Sequence, residues 1–243
     1  MTRFLSVASH GLSVMADGRI TRDWKAAKDS TMSVILEKES QIYMRLMEEV
    51  KGRSRIAADK ILQVRSLPMS EGQKMVETES AILQIRFICE LLALSSLALH
   101  SGLGLSNTLR KSWHADNIFT MLSDVNPNSF QTPIVLTRKD DGTFLYDNRK
   151  IPLDRYGVKK IYERCGGLLH RGVLKQVLEG KDRAYNLDQL DIWINRIVEL
   201  LSPHSILFSK QNTCMIVMMS VPPNDRVQAY IVVGKQPGPL ILP

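Results

Sequence analysis

Residues 31–70 read TMSVILEKES QIYMRLMEEV KGRSRIAADK ILQVRSLPMS, and their pattern sets the architecture of this chain of 243 residues. Apolar residues recur in them at helical spacing: Ile35, Ile42, Leu46, Val50, Ala57, Ile61 and Val64. Charged residues lie on the opposite side of the helical wheel: Glu37, Lys38, Glu48, Glu49, Lys51 and Arg53. Such a period is typical of an amphipathic helix. We expect one over residues 31–64, relaxed near Gly52.

A second helix follows directly. Residues 66–69, Ser-Leu-Pro-Met, interrupt the first pattern. Ser70 with Gln73 three residues later fits a capping box, which predicts a helix start. The pattern then runs to about His100, before two glycines. Because the connection is short, we expect the two helices to be antiparallel neighbours.

The middle of the chain mixes helical and strand patterns. Residues 109–122 have helical spacing and precede an Asn-Pro-Asn turn. Residues 133–147 change to strand spacing around Asp141-Gly142, a good hairpin turn. A further helix is predicted from Leu153 or Asp154.

Asn186 is a candidate N-cap for a last helix. Residues 205–208, 213–219 and 227–233 are short and rich in β-branched or bulky side chains, so they predict strands. The turn between the last two is Pro-Pro-Asn-Asp.

The expected fold class is therefore α+β and mainly α. It is an antiparallel helical bundle with an inserted β-hairpin and a small C-terminal antiparallel β appendage. We expect residues 1–28 to form a loosely structured arm and residues 29–203 to form the helical body, with the hairpin at about 133–147. Residues 204–243 would form the appendage and tail, packed on the body.

The sequence favours a soluble protein in a reducing compartment. The three cysteines lie far apart without a C-x-x-C pair, which argues against a disulfide scaffold. Residues 81–99 are the most apolar stretch, but they contain Arg86 and Glu90, so a buried helix is a better explanation than a membrane span. The N-terminus lacks a signal-peptide pattern. We expect a cytoplasmic protein that does not insert into a membrane.

The usual catalytic motifs are absent from the sequence. It has no G-x-x-x-x-G-K-[ST], no complete Rossmann glycine pattern, no H-E-x-x-H and no G-x-S-x-G. Its five histidines are too scattered for a local metal motif. We therefore expect no cofactor and no metal.

Residues 162–171, YERCGGLLHR, hold the one constellation with catalytic chemistry. Arginine stabilises charge on a phosphate, and histidine moves a proton near neutral pH. With a ribose 2′-hydroxyl as nucleophile, this pair would need no metal to cleave RNA. The Arg-x5-His spacing of Arg164 and His170 resembles the R-x(4–6)-H signature of the HEPN family.

The resemblance implies a helical bundle in which two protomers commonly contribute to one RNA-cleaving cleft. Arg164 would contact the phosphate, and His170 would be the acid/base or the 2′-hydroxyl partner. The implied activity is that of a metal-independent endoribonuclease of a toxin–antitoxin or phage-defence system.

Two other interpretations of this pair stay open. Arg164 could bond a carboxylate while His170 caps a helix C-terminus, or the residues could bind phosphate without catalysis. Six helical positions turn the two side chains about 120° apart. They share a face only if Gly166-Gly167 unwinds the helix.

Arg86 and Glu90 are secondary candidates at i, i+4 in the apolar second helix. They could form an ordinary ion pair, or they could line the same cleft as Arg164.

Basic residues are clustered along the chain. The total is 32 Lys and Arg against 25 Asp and Glu, a net charge of +7. Residues 149–175 carry eight basic and two acidic residues, a net charge of +6, and residues 51–65 carry five and one, a net charge of +4. Such clusters attract phosphates. In addition to Arg164, the candidate nucleic-acid contacts are Arg149, Lys150, Arg155, Lys159, Lys160, Arg171 and Lys175.

Tyr156 and Tyr162 are the only aromatic residues near these cations, so a stacking platform for single strands is not expected. The leading hypothesis is a HEPN-like, nucleic-acid-associated protein, for which the resemblance implies endoribonuclease activity. The alternative is a non-catalytic interaction or regulatory module whose basic surface binds nucleic acid or an acidic protein. Expected partners are RNA or another nucleic acid, a second copy of the chain, or an acidic protein.

Overall fold

The computed structural model describes residues 3–6, 13–14, 20–21, 30–101, 105–112, 114–138, 144–150, 153–170, 178, 184–208 and 213–233. Its helices are α1 Ser30–Ser66, α2 Glu71–Leu99, α3 Asn107–Lys111, α4 Ala115–Val125, α5 Arg155–Leu169 and α6 Leu187–Leu201. Its strands are β1 Arg3–Ser6, β2 Ser13–Val14, β3 Ile20–Thr21, β4 Thr132–Arg138, β5 Phe144–Asn148, β6 His204–Phe208, β7 Thr213–Val221 and β8 Arg226–Val233. The prediction of a mainly helical α+β protein is confirmed.

Helices α1 and α2 form the expected hairpin. The Ser70 hydroxyl accepts from the Gln73 N–H at 3.3 Å, and the Ser70 N–H donates to Gln73 Oε1 at 3.0 Å, so the capping box is confirmed. The expectation of a relaxed turn near Gly52 is wrong, because α1 runs unbroken for 37 residues. One interior glycine costs a helix only about 0.5–1 kcal/mol, and the packing of α1 along α2 offsets that cost.

Helix α2 is the central helix of the bundle. It packs against α1, α4 and α5. Among the helices described, α2 alone has the length and apolarity to cross a membrane, with a mean hydropathy of 1.8 over the window tested. Over half of that window, 56%, is buried inside the protein, as in the core helix of a soluble protein.

The helix expected over 109–122 is instead two helices. Short α3 is capped by Ser106 and ends at Lys111, and α4 begins after His114. Ser112 and His114 have extended backbone dihedrals, which redirect the chain between the two helices. The apolar spacing resembled one helix because both pieces bury their apolar residues in the same core.

The strands form a sheet with the order β1-β8-β7-β6-β4-β5-β3-β2. The hairpin of β4 and β5 is confirmed, while its expected turn at Asp141-Gly142 lies outside the described residues. β4 also pairs with β6 through Thr132 with Ser205 and Pro133 with His204. The inserted hairpin and the C-terminal strands therefore belong to one sheet.

The N-terminal arm contributes strands to this sheet. Residues 3–6 pair with β8, and residues 20–21 continue the sheet beyond β5. The expectation of a loosely structured arm is wrong for these residues. An edge strand such as β8 offers a row of unpaired N–H and C=O groups, which an extended segment can satisfy even without an apolar period of its own.

The sheet packs on the bundle and shares its core. Helix α1 contacts β7 and β8, and α6 contacts β4. The shared hydrophobic core includes residues from every C-terminal strand: Ile206, Met215, Val217, Val227, Ala229 and Ile231. The C-terminal strands β6, β7 and β8 thus pack on the helical body.

Candidate nucleic-acid interface

Helix α5 carries the candidate catalytic pair. It starts where the sequence predicts, with the Asp154 carboxylate accepting the Gly157 N–H at 2.8 Å. It then continues through Gly166 and Gly167, and the N–H of His170 donates to the Gly166 carbonyl at 3.1 Å. The two glycines do not unwind the helix.

Arg164 and His170 consequently lie about 120° apart around α5. Both are exposed. Arg164 lines a cavity of about 410 Å³, and His170 is absent from the described lining of that cavity. The other lining residues are Gly167, Leu168, Ala184, Asn186, Gln189, Leu190 and Trp193. Within one chain, the structure does not bring Arg164 and His170 to one site.

Arg86 and Glu90 lie between α2 and α5. Arg86 Nε is 3.4 Å from Glu90 Oε1, and the side chains are 23% and 21% exposed. Arg86 also donates to the Tyr162 hydroxyl at 2.8 Å, with its guanidinium 4.2 Å from the Tyr162 ring centroid. Tyr162 is two positions from Arg164, on the opposite side of α5. Arg86 and Glu90 therefore form an ion pair within α2, at its contact with α5, and do not join Arg164 in a cleft.

The thiol of Cys165, next to Arg164, is unreactive. Cys165 is fully buried, and burial raises its pKa to about 12 although the charge of Arg86 opposes that shift. At neutral pH the thiol stays protonated, so it is not a nucleophile.

The two basic clusters differ in how their charges are compensated. Every cation between residues 51 and 65 meets a carboxylate. Lys60 is 2.6 Å from Glu77, and Arg55 is 2.6 Å from Asp225. The remaining pairs are Lys51 with Glu48, Arg53 with Glu49, and Arg65 with Asp188 and Asp191. This cluster is largely neutralised by its own protein.

The cluster around α5 keeps more of its charge. Arg149 pairs with Glu199 at 2.8 Å, and Lys159 is 4.0 Å from Glu163. By contrast, no salt bridge to a described carboxylate involves Lys150, Arg155, Lys160 or Arg164. Arg171 and Lys175, the last two candidates, lie outside the described residues.

Helical geometry aligns part of this cluster. Tyr156, Lys160 and Arg164 follow each other at steps of four residues, so their side chains form one stripe about 12 Å long. All three are exposed. The exposed stripe of Tyr156, Lys160 and Arg164, with Lys150 and Arg155 beside its N-terminal end, is called the cationic face below.

A cavity of about 510 Å³ opens at the N-terminal end of the cationic face. It lies between the turn that follows α4, the start of β4 and the first turn of α5. Its walls include three cations, Arg149, Lys150 and Arg155, together with Tyr156. The Arg155 guanidinium donates to the Pro127 carbonyl at 2.7 Å and so ties two walls together. The sequence marked these cations as candidates but did not indicate a cavity.

A buried polar network lies behind this cavity. His204 Nδ1 is 2.8 Å from the Leu201 carbonyl, which can only accept, so Nδ1 carries the proton. His204 Nε2 then accepts from the Tyr43 hydroxyl at 2.6 Å, and that oxygen accepts from Gln131 Nε2 at 3.3 Å. Burial lowers the pKa of His204 to about 4 and raises the pKa of Tyr43. Periodicity could not reveal this network, because its members come from α1, β6 and a loop.

Within the described ranges, no three His, Cys, Asp or Glu side chains are grouped so that they could hold a metal ion. Comparisons with protein-family models, with curated proteins and with solved structures give no match to this chain.

Proposed function

We propose that this chain binds RNA or another nucleic acid through its cationic face, as a non-catalytic module of the cytoplasm. One observation carries the proposal: the five cations at residues 51–65 of α1 are paired with carboxylates, whereas Lys150, Arg155, Lys160 and Arg164 form no salt bridge with any carboxylate that the structure describes. Cations without a carboxylate partner keep their charge for phosphates, and their neutralisation of phosphates releases counterions. Basic side chains that already pair with carboxylates of the protein contribute less to phosphate binding.

The test is the salt dependence of RNA binding by the full chain. A labelled single-stranded RNA of about 12 nucleotides is titrated at several salt concentrations between about 50 and 200 mM. We expect Lys160→Ala combined with Arg164→Ala to lower the slope of log K against log salt by about 1.4, because each phosphate contact on a single strand contributes about 0.7.

Lys60→Ala combined with Arg55→Ala is the matched control. It removes the same charge from α1, where both cations are paired. We expect the control to change the slope by less than half as much. An equal effect of the two double variants, or no retention of RNA at low salt, contradicts the proposal. Capture of an acidic protein without nucleic acid would favour the acidic partner instead.

Endoribonuclease activity of the HEPN type is the second candidate function. It is supported by Arg164, an exposed arginine that forms no salt bridge with a described carboxylate and lines a cavity of about 410 Å³. Because His170 projects elsewhere on the same helix, this function requires the histidine of a second copy of the chain, as the resemblance implies.

A further inference from the structure

The cavity beside the first turn of α5 has the size of a small-molecule site. Its volume of about 510 Å³ falls within the range of about 300–1,000 Å³ that is common for ligand pockets. It is open to solvent along the cationic face, since Tyr156 belongs to both. A strand that follows the cationic face would therefore pass its mouth.

The charges of the cavity favour an anion. Lys150 is exposed, and neither it nor Arg155 forms a salt bridge with a described carboxylate. Asp154 is the one acidic residue in the described lining, and its carboxylate is already engaged as the N-cap of α5. Arg149 contributes a further guanidinium, shared with Glu199. A phosphate entering here would meet more positive than negative charge.

The rest of the lining favours a flat apolar body. Tyr156 has 64% of its surface exposed, and the Arg155 guanidinium lies over one face of its ring, 5.9 Å from the centroid, which leaves the other face for stacking. Phe130 makes an edge-to-face contact with Phe119, with the ring centroids 5.7 Å apart, and this contact holds the Phe130 ring in place. Two prolines and a leucine complete the apolar walls: Pro127, Pro133 and Leu153.

Gln131, also in the lining, has one unsatisfied atom. The Tyr43 hydroxyl donates to His204, and Ser95 Oγ donates to the Leu92 carbonyl, so both oxygens act as acceptors towards Gln131 Nε2. Gln131 Oε1 is therefore left as the acceptor, and it is buried without a partner, unlike any other side-chain nitrogen or oxygen in the described residues. Because this oxygen has almost no solvent-accessible surface, a ligand in the open cavity cannot reach it unless the lining shifts, so recognition of a base falls to the ring of Tyr156.

We infer that this cavity holds a single nucleotide, with its phosphate at Lys150 and Arg155 and its base stacked on Tyr156. The inference rests on the proposed function in taking that nucleotide from a bound strand. The second tyrosine of α5, Tyr162, is buried beneath Arg86 and cannot stack with a base. The structure thus assigns one stacking site, which selects an unpaired base, and not an extended platform for several bases.

The test compares single-stranded and duplex RNA of equal length, both labelled, on the full chain. Tyr156→Ala should weaken the binding of single-stranded oligouridylate by about 5- to 150-fold, the range for one lost base–aromatic stack. It should leave duplex binding unchanged, because paired bases cannot enter the cavity. Tyr156→Phe keeps the ring and should bind both RNAs like the unaltered protein. The exposed position keeps these variants folded, which thermal unfolding verifies.

Further arms separate this inference from the proposed function. If Tyr156→Ala has no effect, or weakens both RNAs equally, the nucleotide site is refuted. The cationic face still stands in that case, provided that Lys160→Ala lowers the salt slope. If the protein binds uridine monophosphate but no strand, and Tyr156→Ala and Lys150→Gln abolish this binding, the cavity takes a free nucleotide and the proposed function fails. If the protein binds neither RNA nor uridine monophosphate, the proposed function and the nucleotide site are both refuted.

Discussion

A Cβ atom on Gly166 would lie 2.6 Å from Nη1 of Arg86, so the glycine of α5 leaves the space that the guanidinium of α2 occupies. The same guanidinium donates to the Tyr162 hydroxyl and pairs with Glu90. Tyr162 and Gly166 are one turn apart on α5, and together they form the recess that receives Arg86. The glycine is thus explained by packing between helices.

Alanine at Gly166 and at Gly167 should have opposite effects on stability. No atom lies within 4 Å of a Cβ on Gly167, so Gly167→Ala should stabilise the protein by about 0.5–1 kcal/mol through helix propensity. Gly166→Ala should instead destabilise it by about 1 kcal/mol, because the guanidinium must shift away from the new methyl group and so weaken its hydrogen bond and ion pair. Urea unfolding measures both differences.

Arg86→Met supplies the control background for these substitutions. Without the guanidinium, Gly166→Ala should become stabilising, like Gly167→Ala. A stabilising effect of Gly166→Ala in the presence of Arg86 contradicts the packing explanation.

Acidification should destabilise the fold through His204. The unfolded chain binds this proton near pH 6.5, whereas burial lowers the pKa in the folded protein to about 4. Between these values the unfolded state binds more protons, so stability falls as pH decreases through this window and is restored as pH rises. The loss reaches about 3 kcal/mol at the lower end. Burial also lowers the pKa of His100, and its contribution has the same sign.

Urea unfolding at about pH 7, 5.5 and 4 measures this loss. His204→Gln should be less stable at neutral pH, because its contacts with Tyr43 and Leu201 change, yet its stability should depend less on pH in this window. Equal stability of the unaltered protein at all three pH values would rule out His204 as the titrating group.

The N-cap Ser70 of α2 should contribute more to the stability of the fold than an exposed serine that does not cap a helix. Ser70→Ala removes the acceptor of the Gln73 N–H and should cost about 1 kcal/mol. Ser66→Ala is the matched control, since the Ser66 hydroxyl only donates to a carbonyl of its own helix, and we expect a change within about 0.5 kcal/mol. Equal losses from the two substitutions would mean that the capping box contributes nothing specific.

Local signals predicted the helices well. Ser70 and Asn186 cap helices as expected, and α5 begins at the predicted start with Asp154 as its cap, because a helix start depends on residues within one turn. The joining of the two β regions was not predictable in this way. It depends on Thr132 meeting Ser205, 73 residues later in the chain, and neither residue carries a signal for that pairing.

The candidate site was predicted only in part. Charge counting located the cations around α5 and a smaller basic cluster at residues 51–65 of α1, but it could not show which of these cations are paired. Lys60 and Arg55 are neutralised by Glu77 and Asp225, which belong to other elements of the fold. Counting by segment could not detect such pairing. Gln131 illustrates the same limit, since its role depends on hydroxyls from α1 and α2.

Mixed variants test whether two copies of the chain build a ribonuclease site. If Arg164 of one copy and His170 of another form the cleft, Arg164→Ala and His170→Ala should each lower RNA cleavage by about 10²- to 10⁴-fold. A mixture of the two variants should then regain about a quarter of the activity, because half of the dimers hold one intact site. Cleavage is measured on labelled RNA with a chelator present. Lys60→Ala, which leaves both residues in place and removes a cation that is paired with Glu77, is the control and should cleave normally at saturating RNA. Cleavage that persists in both variants, or a loss that mixing does not repair, contradicts the shared cleft.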